Sequence, residues 1–219
     1  VEILLSSYGK GKIKSGAVRY SLRSDELDIN GSVEFTSSDA RLTSVGTFVP
    51  DFSGITKPQK AVLTLAMGEL HNSYVFWLYP QTNVEITENG IKTADDELIF
   101  TDSVEKAKAL IASGKKAMVI TDGSNAIENA YCADFWNYHM FRVISESMNK
   151  PVAPGTMGLL IDKNDKLFSA FPCEKFTTPQ WYEAVTHSKA DILDDTPDVT
   201  PIVQVVDNTE RCHRLGMLY

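Results

Sequence analysis

Apolar residues recur with a period of two up to about residue 88, and from residue 97 a helical period enters. The first pattern can bury one face of a sheet, whereas the second lets helix and strand alternate. Residues 1–5 form one apolar run. Ala17, Val18, Arg19, Tyr20, Ser21 and Leu22 then alternate, as do Ser32, Val33, Glu34 and Phe35, with Asn30-Gly31 reading as a hairpin turn. Residues 61–67 and 74–79 repeat the pattern, with Val62, Leu63 and Leu65 and then Val75, Trp77 and Tyr79 suiting two strands packed on one face. Pro80, which has no N–H for a ladder, ends the last of them. Short strands at this spacing predict a β-sandwich.

Residues 81–96 are polar and suit a linker or one extra edge strand. Glu97-Leu98-Ile99-Phe100 then reads as a strand, Ser103 as an N-cap, and Val104, Ala107, Leu110 and Ile111 as one helix face. Gly114 stands where a helix C-terminus takes a left-handed residue, and Ala117-Met118-Val119-Ile120 is a second strand. Strand, helix, strand in so short a span is a βαβ unit with a parallel pair and a right-handed crossover. Its second strand ends at Thr121-Asp122-Gly123-Ser124, and open α/β sheets bind ligands outside the carboxyl ends of their strands.

Further on, Phe141, Ile144 and Met148 predict a helix over residues 138–148, stopped by Pro151 and Pro154. Residues 158–161 read either as a buried strand or as a helix start. Residues 178–186 read as a short helix with Pro179 in its first turn, and residues 202–207 and 214–219 as two strands joined by a polar turn. The expected fold class is α/β plus all-β. An antiparallel, Ig-like β-sandwich over residues 1–90 precedes a three-layer α/β domain over residues 95–219. The chain opens and closes inside strand-like runs, which predicts a piece of a longer polypeptide, its targeting segment missing and the C-terminal domain cut short.

With 43% apolar and 23% charged residues over 219 positions, the chain can bury a core without a metal or disulfide. A net charge of −8 repels nucleic acid and anionic lipid. No apolar run approaches the roughly 20 residues of a membrane span, and residues 1–5 lack the layout of a signal peptide. Three cysteines, Cys132, Cys173 and Cys212, show no CxxC spacing and read as small buried hydrophobes. The sequon Asn30-Gly31-Ser32 is more simply a turn. No cofactor and no metal are predicted.

His71, His139, His187 and His213 form no metal-binding spacing. Neither Cys132 nor Cys173 has the flanking glycines of a nucleophile elbow, and Gly155-Thr156-Met157-Gly158 lacks the Lys-Ser/Thr of a phosphate loop. Asp194-Asp195 is a carboxylate pair, but neighbours on an extended chain face opposite ways and Pro197 marks a loop, so a solvated turn is favoured. Trp77, Trp136 and Trp181, with Tyr131, Tyr138 and Tyr182, are core residues or stacking platforms for sugar rings. Asp207 and Arg211 stand at the spacing of a turn lock, with Asn208 and His213 beside them. No catalytic residue is assigned; the candidate ligand-binding residues are Trp136, His139, Trp181, Asp194, Asp207 and Arg211.

Asn72-Ser73-Tyr74-Val75-Phe76-Trp77-Leu78-Tyr79-Pro80 resembles the "N-S-W-x-x-W-V-Y-P" strand of large bacterial family 2, β-galactosidase-like glycoside hydrolases. Further stretches resemble the same region in the same order. They are Pro154-Gly155-Thr156-Met157-Gly158-Leu159-Leu160-Ile161-Asp162, then Phe171-Pro172 with Gln180-Trp181-Tyr182. Leu193-Asp194-Asp195 follows, leading into Pro201-Ile202-Val203-Gln204-Val205-Val206-Asp207-Asn208, and Arg211 with Arg214-Leu215-Gly216 completes the series. The resemblance implies a sandwich followed by a flavodoxin-like or glutamine-amidotransferase-like α/β domain, both C-terminal to a catalytic barrel that this chain lacks. It implies an accessory, non-catalytic segment of a polysaccharide- or oligosaccharide-processing enzyme, with the barrel and carbohydrate as partners, exported to the periplasm or cell surface.

The chain departs from that family where Cys173 replaces a usual Thr, Cys212 a usual Asn, and Asn164-Asp165 a usual His-Pro. It also stops where the family continues into further strands. Two other functions fit the residues: a stand-alone carbohydrate-binding module using Trp136 and Trp181, and a small hydrolase with a cleft at Asp122 to Ser124.

Overall fold

A computed structural model describes residues 1–8, 13–38, 41–127, 143–144, 147–149, 156–208 and 211–219. The chain divides into two compact units, Val1–Gln81 with Ala170–Pro172, and Thr82–Ser169 with Cys173–Tyr219. The fold is rich in β-sheet, mostly antiparallel.

In the first unit the strands are β1 (Glu2–Ser6), β2 (Ile13–Arg23), β3 (Asp28–Ser38), β4 (Leu42–Thr47), β5 (Gln59–Met67) and β6 (Leu70–Leu78). They form a four-stranded antiparallel sheet of order β3-β2-β5-β6 and a two-stranded sheet β1-β4. Ile3 and Val45 from the small sheet share one buried cluster with Val18, Leu22, Phe35, Ala61 and Leu63 from the large one. Alternate residues of each strand therefore face a common core, as the period of two requires.

Strand β4 was not read from the sequence, and two further details differ from that reading. Asn30 and Gly31 lie inside β3, opposite Ser21 and Tyr20, and the β2–β3 turn is made by Ser24 to Leu27, where the Ser24 N–H donates to the Leu27 carbonyl at 2.9 Å. Gly31 is there for space: a Cβ would run into the Tyr20 ring, which stacks on Phe48 at 4.1 Å. Along β6, Tyr74 and Phe76, and not Val75 and Trp77, stand opposite the buried Leu63 and Ala61. Tyr74 and Phe76 nevertheless stay 45% and 41% exposed, because a facing sheet of two strands cannot cover the outermost of four.

The second unit begins with a hairpin where a linker was one of two readings. β7 (Glu85–Thr87) and β8 (Gly90–Lys92) pair with each other, and β8 pairs with β9 (Glu97–Thr101). Helix α1 (Val104–Ala112) and β10 (Lys116–Val119) follow, with β10 parallel to β9. This is the expected βαβ unit, started by Ser103, whose side chain accepts from the Lys106 N–H, and ended at Gly114 with φ 82°.

The remaining strands are β11 (Thr156–Ile161), β12 (Asp191–Ile192), β13 (Val203–Asp207) and β14 (Arg214–Leu218), in the order β11-β13-β14-β12. All their pairings are antiparallel. The expected three-layer α/β arrangement is thus represented, among the described residues, by one parallel pair. The turn joining β13 to β14 is too short for the crossover a parallel pair needs, so it forces an antiparallel sheet. Residues 158–161 are strand, and residues 178–186 are a 3-10 turn (Pro179–Trp181) running into a short helix (Tyr182–Thr186). Most of the helix expected over residues 138–148 lies outside the described residues; Val143, Ile144 and Ser147 are helical.

Candidate functional site

Within the second unit the chain leaves β10 and passes along β12. The Ile192 N–H donates to the Asn125 carbonyl at 2.8 Å and the Ile127 N–H to the Ala190 carbonyl at 3.0 Å. This brings the carboxyl ends of β9 and β10 against the start of the antiparallel sheet and leaves a cleft of about 500 Å³. Asp102, Asp122 and Asp191 line it together with Tyr219, Asn125 and aliphatic side chains. The place is the one that strand topology favours for a ligand. A larger concavity of about 610 Å³ beside α1 offers only Asp102 and Lys106 as charged groups, and these pair with each other at 2.8 Å.

Asp122 follows β10 and accepts from the Ser124 N–H at 2.9 Å. Hydrogen bonds from the Ser124 hydroxyl and then its N–H hold the Asp122 carboxyl below the usual carboxylate range. Asp191 is 9% exposed, and its Oδ2 accepts from the Tyr219 hydroxyl at 2.8 Å. Burial, followed by the Asp191 carboxylate, pushes the Tyr219 phenol up to about 12, so it remains a neutral donor. Gly216 makes room for this pair: a Cβ there would meet Leu193 Cδ1 at 2.6 Å and Tyr219 Cδ1 at 2.9 Å.

Trp181, Asp194, Asp207 and Arg211, four of the six candidate ligand-binding residues, do not line this cleft. Trp136 and His139 fall outside the described residues. Trp181 is 6% exposed, with its ring edge-on to Phe168 at 5.9 Å, so its faces are not open to a sugar. Asp194, Asp207 and Arg211 come together around the β13–β14 turn. Asp207 Oδ1 accepts from Arg211 Nη2 at 2.6 Å and from the Asn208 N–H at 2.8 Å, while its Oδ2 accepts from the His213 N–H at 3.0 Å. His213 Nδ1 donates to Asp194 Oδ2 at 2.7 Å, and the Arg214 N–H donates to Asp194 Oδ1 at 2.7 Å. Those two hydrogen bonds, His213 first, keep the Asp194 carboxyl below its ordinary value.

Arg214 completes the network by donating to the carbonyls of Leu193, Thr196 and Val199. Every carboxylate in it is engaged with backbone or a basic side chain, which is the chemistry of a locked turn. Cys212, where the resembled family has Asn, takes φ 57°, a left-handed conformation that Asn tolerates better than most residues. Cys173 is a half-buried thiol raised by burial, and Cys212 is exposed. Among the described residues no group of three or more His, Cys, Asp or Glu side chains has the geometry to hold a metal ion, and no helix is long and apolar enough to cross a membrane.

Sequence reasoning located the Asp122 end of the cleft and missed Asp191 and Tyr219. The available signal was a lone acid between Ala190 and Ile192-Leu193, a charge set into an apolar run.

Residues 98–219 match a family model described as Domain of unknown function (DUF8487), and residues 1–80 match another, Domain of unknown function (DUF8488). No curated protein matches the chain.

Proposed function

This chain belongs to the DUF8487 family of domains of unknown function, and from that premise we propose that it is an accessory, non-catalytic segment of a glycoside hydrolase acting on polysaccharide or oligosaccharide. The observation that carries the reading is the commitment of the carboxylates. Asp207 and Asp194 are tied to Arg211, His213 and backbone N–H groups, and Asp102 to Lys106. Glycoside hydrolysis needs two carboxylates free to flank a glycosidic bond, and the two acids of the β13–β14 turn are taken up in holding it, while no second acid of a matched catalytic pair is assigned.

The ordered resemblance to β-galactosidase-like enzymes supplies the carbohydrate context. On this reading the first unit is an Ig-like sandwich and the second a variant of a flavodoxin-like or amidotransferase-like α/β domain. The βαβ unit of β9, α1 and β10 supports the latter. The catalytic barrel then belongs to the same polypeptide, exported to the periplasm or cell surface. A stand-alone carbohydrate-binding module is less well supported, since the buried Trp181 presents no ring face.

Immunoblotting of source cells with an antibody against this chain tests the proposal, with a parallel assay on aryl glycosides. A band far above 24.3 kDa, with no hydrolysis by the isolated chain, is expected. A band near that mass, or turnover lost on changing one carboxylate, overturns it.

A further inference from the structure

A strand at the border of a sheet offers its free backbone groups to any other strand, and proteins blunt such borders with charge, proline, bulges or brevity. Most border strands among the described residues follow the rule. β7 has three residues and β12 two, β10 carries Lys116, and β3 carries Asp28 and Glu34. The β1–β4 pairing shifts register between Ile3 and Leu4, and the β11–β13 pairing between Thr156 and Gly158. β6 has none of these devices. It runs nine residues, Leu70–Leu78, without Asp, Glu, Lys, Arg or Pro, and pairs with β5 with no break in register.

The hairpin geometry says which of its groups point outward. Gly68-Glu69 is a two-residue turn with Gly68 at φ 59°, so the flanking Met67 and Leu70 form a hydrogen-bonded pair and such pairs alternate from there. Leu70, Asn72, Tyr74 and Phe76 therefore bond to β5, while His71, Ser73 and Val75 turn their N–H and C=O groups away from it. The Ser73 N–H agrees, donating to Asn72 Oδ1 at 2.9 Å. Residues 70–76 are all exposed. On the core side Leu70, at 64%, joins Tyr74 and Phe76 as apolar surface left uncovered.

We propose that β6 pairs antiparallel with β6 of a second copy of this chain, about a two-fold axis at Ser73, joining two four-stranded sheets into one. In that register His71 pairs with the partner's Val75, and Ser73 with the partner's Ser73. On the core side Leu70 meets the partner's Phe76, and Asn72 meets the partner's Tyr74, so apolar faces apolar and polar faces polar. Moving the axis to Tyr74 sets Asn72 against the partner's Phe76, and moving it to Val75 draws the half-buried Trp77 into the pairing.

Charge favours a second copy at this place. Each chain carries −8 and repels its like over most of its surface, whereas β6 has no Asp or Glu to oppose the approach. The pairing is also closed: it uses both β6 borders, and the joined sheet then ends in two β3 strands, each guarded by Asp28 and Glu34. The inference is independent of the accessory role, since it concerns the first unit's strands and no carbohydrate.

The test is sedimentation equilibrium of the whole 219-residue chain with amide hydrogen exchange at low and high concentration. A pairing of one strand with another covers less than the roughly 1,200 Å² of a standard interface, so a dimer with Kd of about 10–100 μM is expected. The outward amides of His71 and Val75 should gain protection as concentration rises, while those of Asn72 and Tyr74 are protected throughout. Ser73→Lys and Ser73→Asp each set like charges opposite one another at the axis and should each weaken the dimer at least about tenfold. The two variants mixed in equal amounts should dimerise again. If either fails to fold, Val75→Lys, which charges the same border, carries the test with the same expected loss.

A monomer across the range that brackets this Kd overturns the proposal, as does a dimer unchanged in Ser73→Lys or not restored in the mixture. Protection gained equally at all β6 amides overturns the pairing, because only alternate groups face outward. A monomer whose His71 and Val75 amides shift on titration with the peptide Thr-Val-Thr-Val-Thr-Val overturns it in favour of a strand from another protein.

Discussion

Arg211 reaches back four positions to Asp207, donating from Nη2 at 2.6 Å and from Nε at 3.1 Å to a carboxylate whose side chain is 2% exposed. The same carboxylate accepts the backbone N–H groups of Asn208 and His213. One side chain thus takes up two backbone N–H groups and the guanidinium of the turn between β13 and β14. Asp207→Ala leaves those donors unpaired and should destabilise the protein by about 3 kcal/mol. Urea unfolding followed by circular dichroism measures it, and a change below 1 kcal/mol would show that the turn holds without the lock.

Gly46 is needed where β4 passes β3. Its φ is 149°, and a Cβ there would occupy the position of Val33 Cγ1. Gly46→Ala should cost about 3 kcal/mol through strain and overpacking. Val33→Ala in the same background should recover part of the loss by removing the obstructing methyl. No recovery in the double variant would assign the whole cost to the backbone.

Acid should weaken the first unit through Glu26. Its carboxylate accepts from the Thr56 N–H at 2.9 Å and from the Thr56 hydroxyl and Gln59 Nε2, tying the β2–β3 turn to the chain entering β5. These bonds, the Thr56 hydroxyl first, hold its pKa at about 2 against an ordinary 4.5. A depressed folded-state pKa gives stability that is present above 4.5 and lost as pH falls through 2. Glu26→Gln should therefore lower the urea midpoint at pH 7, and the gap to the unsubstituted protein should close as the pH approaches 2. A gap independent of pH would mean that the hydrogen bonds contribute no charge-dependent stability.

Trp181 belongs to the core of its unit, so Trp181→Ala should cost about 4 kcal/mol as a large-to-small cavity substitution. Its effect on glycan binding should follow the loss of folded protein. Intrinsic fluorescence and thermal unfolding, read beside glycan binding, separate the two roles. Loss of binding by a fully folded Trp181→Ala would restore the ring as a platform.

Residue pattern alone sufficed where interactions are local. Period-two alternation placed strands in residues 1–80, and Ser103, Gly114 and the apolar spacing between them gave the helix of the βαβ unit, because capping and periodicity are set by neighbours in sequence. Asp207 with Arg211 was legible for the same reason. The turn signal at Asn30-Gly31 misled because Gly serves two ends: it permits a tight turn and also permits close approach, and the Tyr20 ring, distant in sequence, claimed the second.

The cleft lay at the other extreme. Asp191 and Tyr219 are separated by 28 positions and meet because β12 pairs with β14 and Gly216 leaves room for the Tyr219 ring. Sequence by itself determined the longer strands, the helix of the βαβ unit and the sign of the charge, since these are sums over local choices, and it left β4, the β7–β8 hairpin and β12 unread. The tertiary structure decided that Trp181 is buried, which carboxylates are spent on turns and that Asp191 lines a cleft, because burial and pairing depend on strand register between segments that the sequence keeps apart.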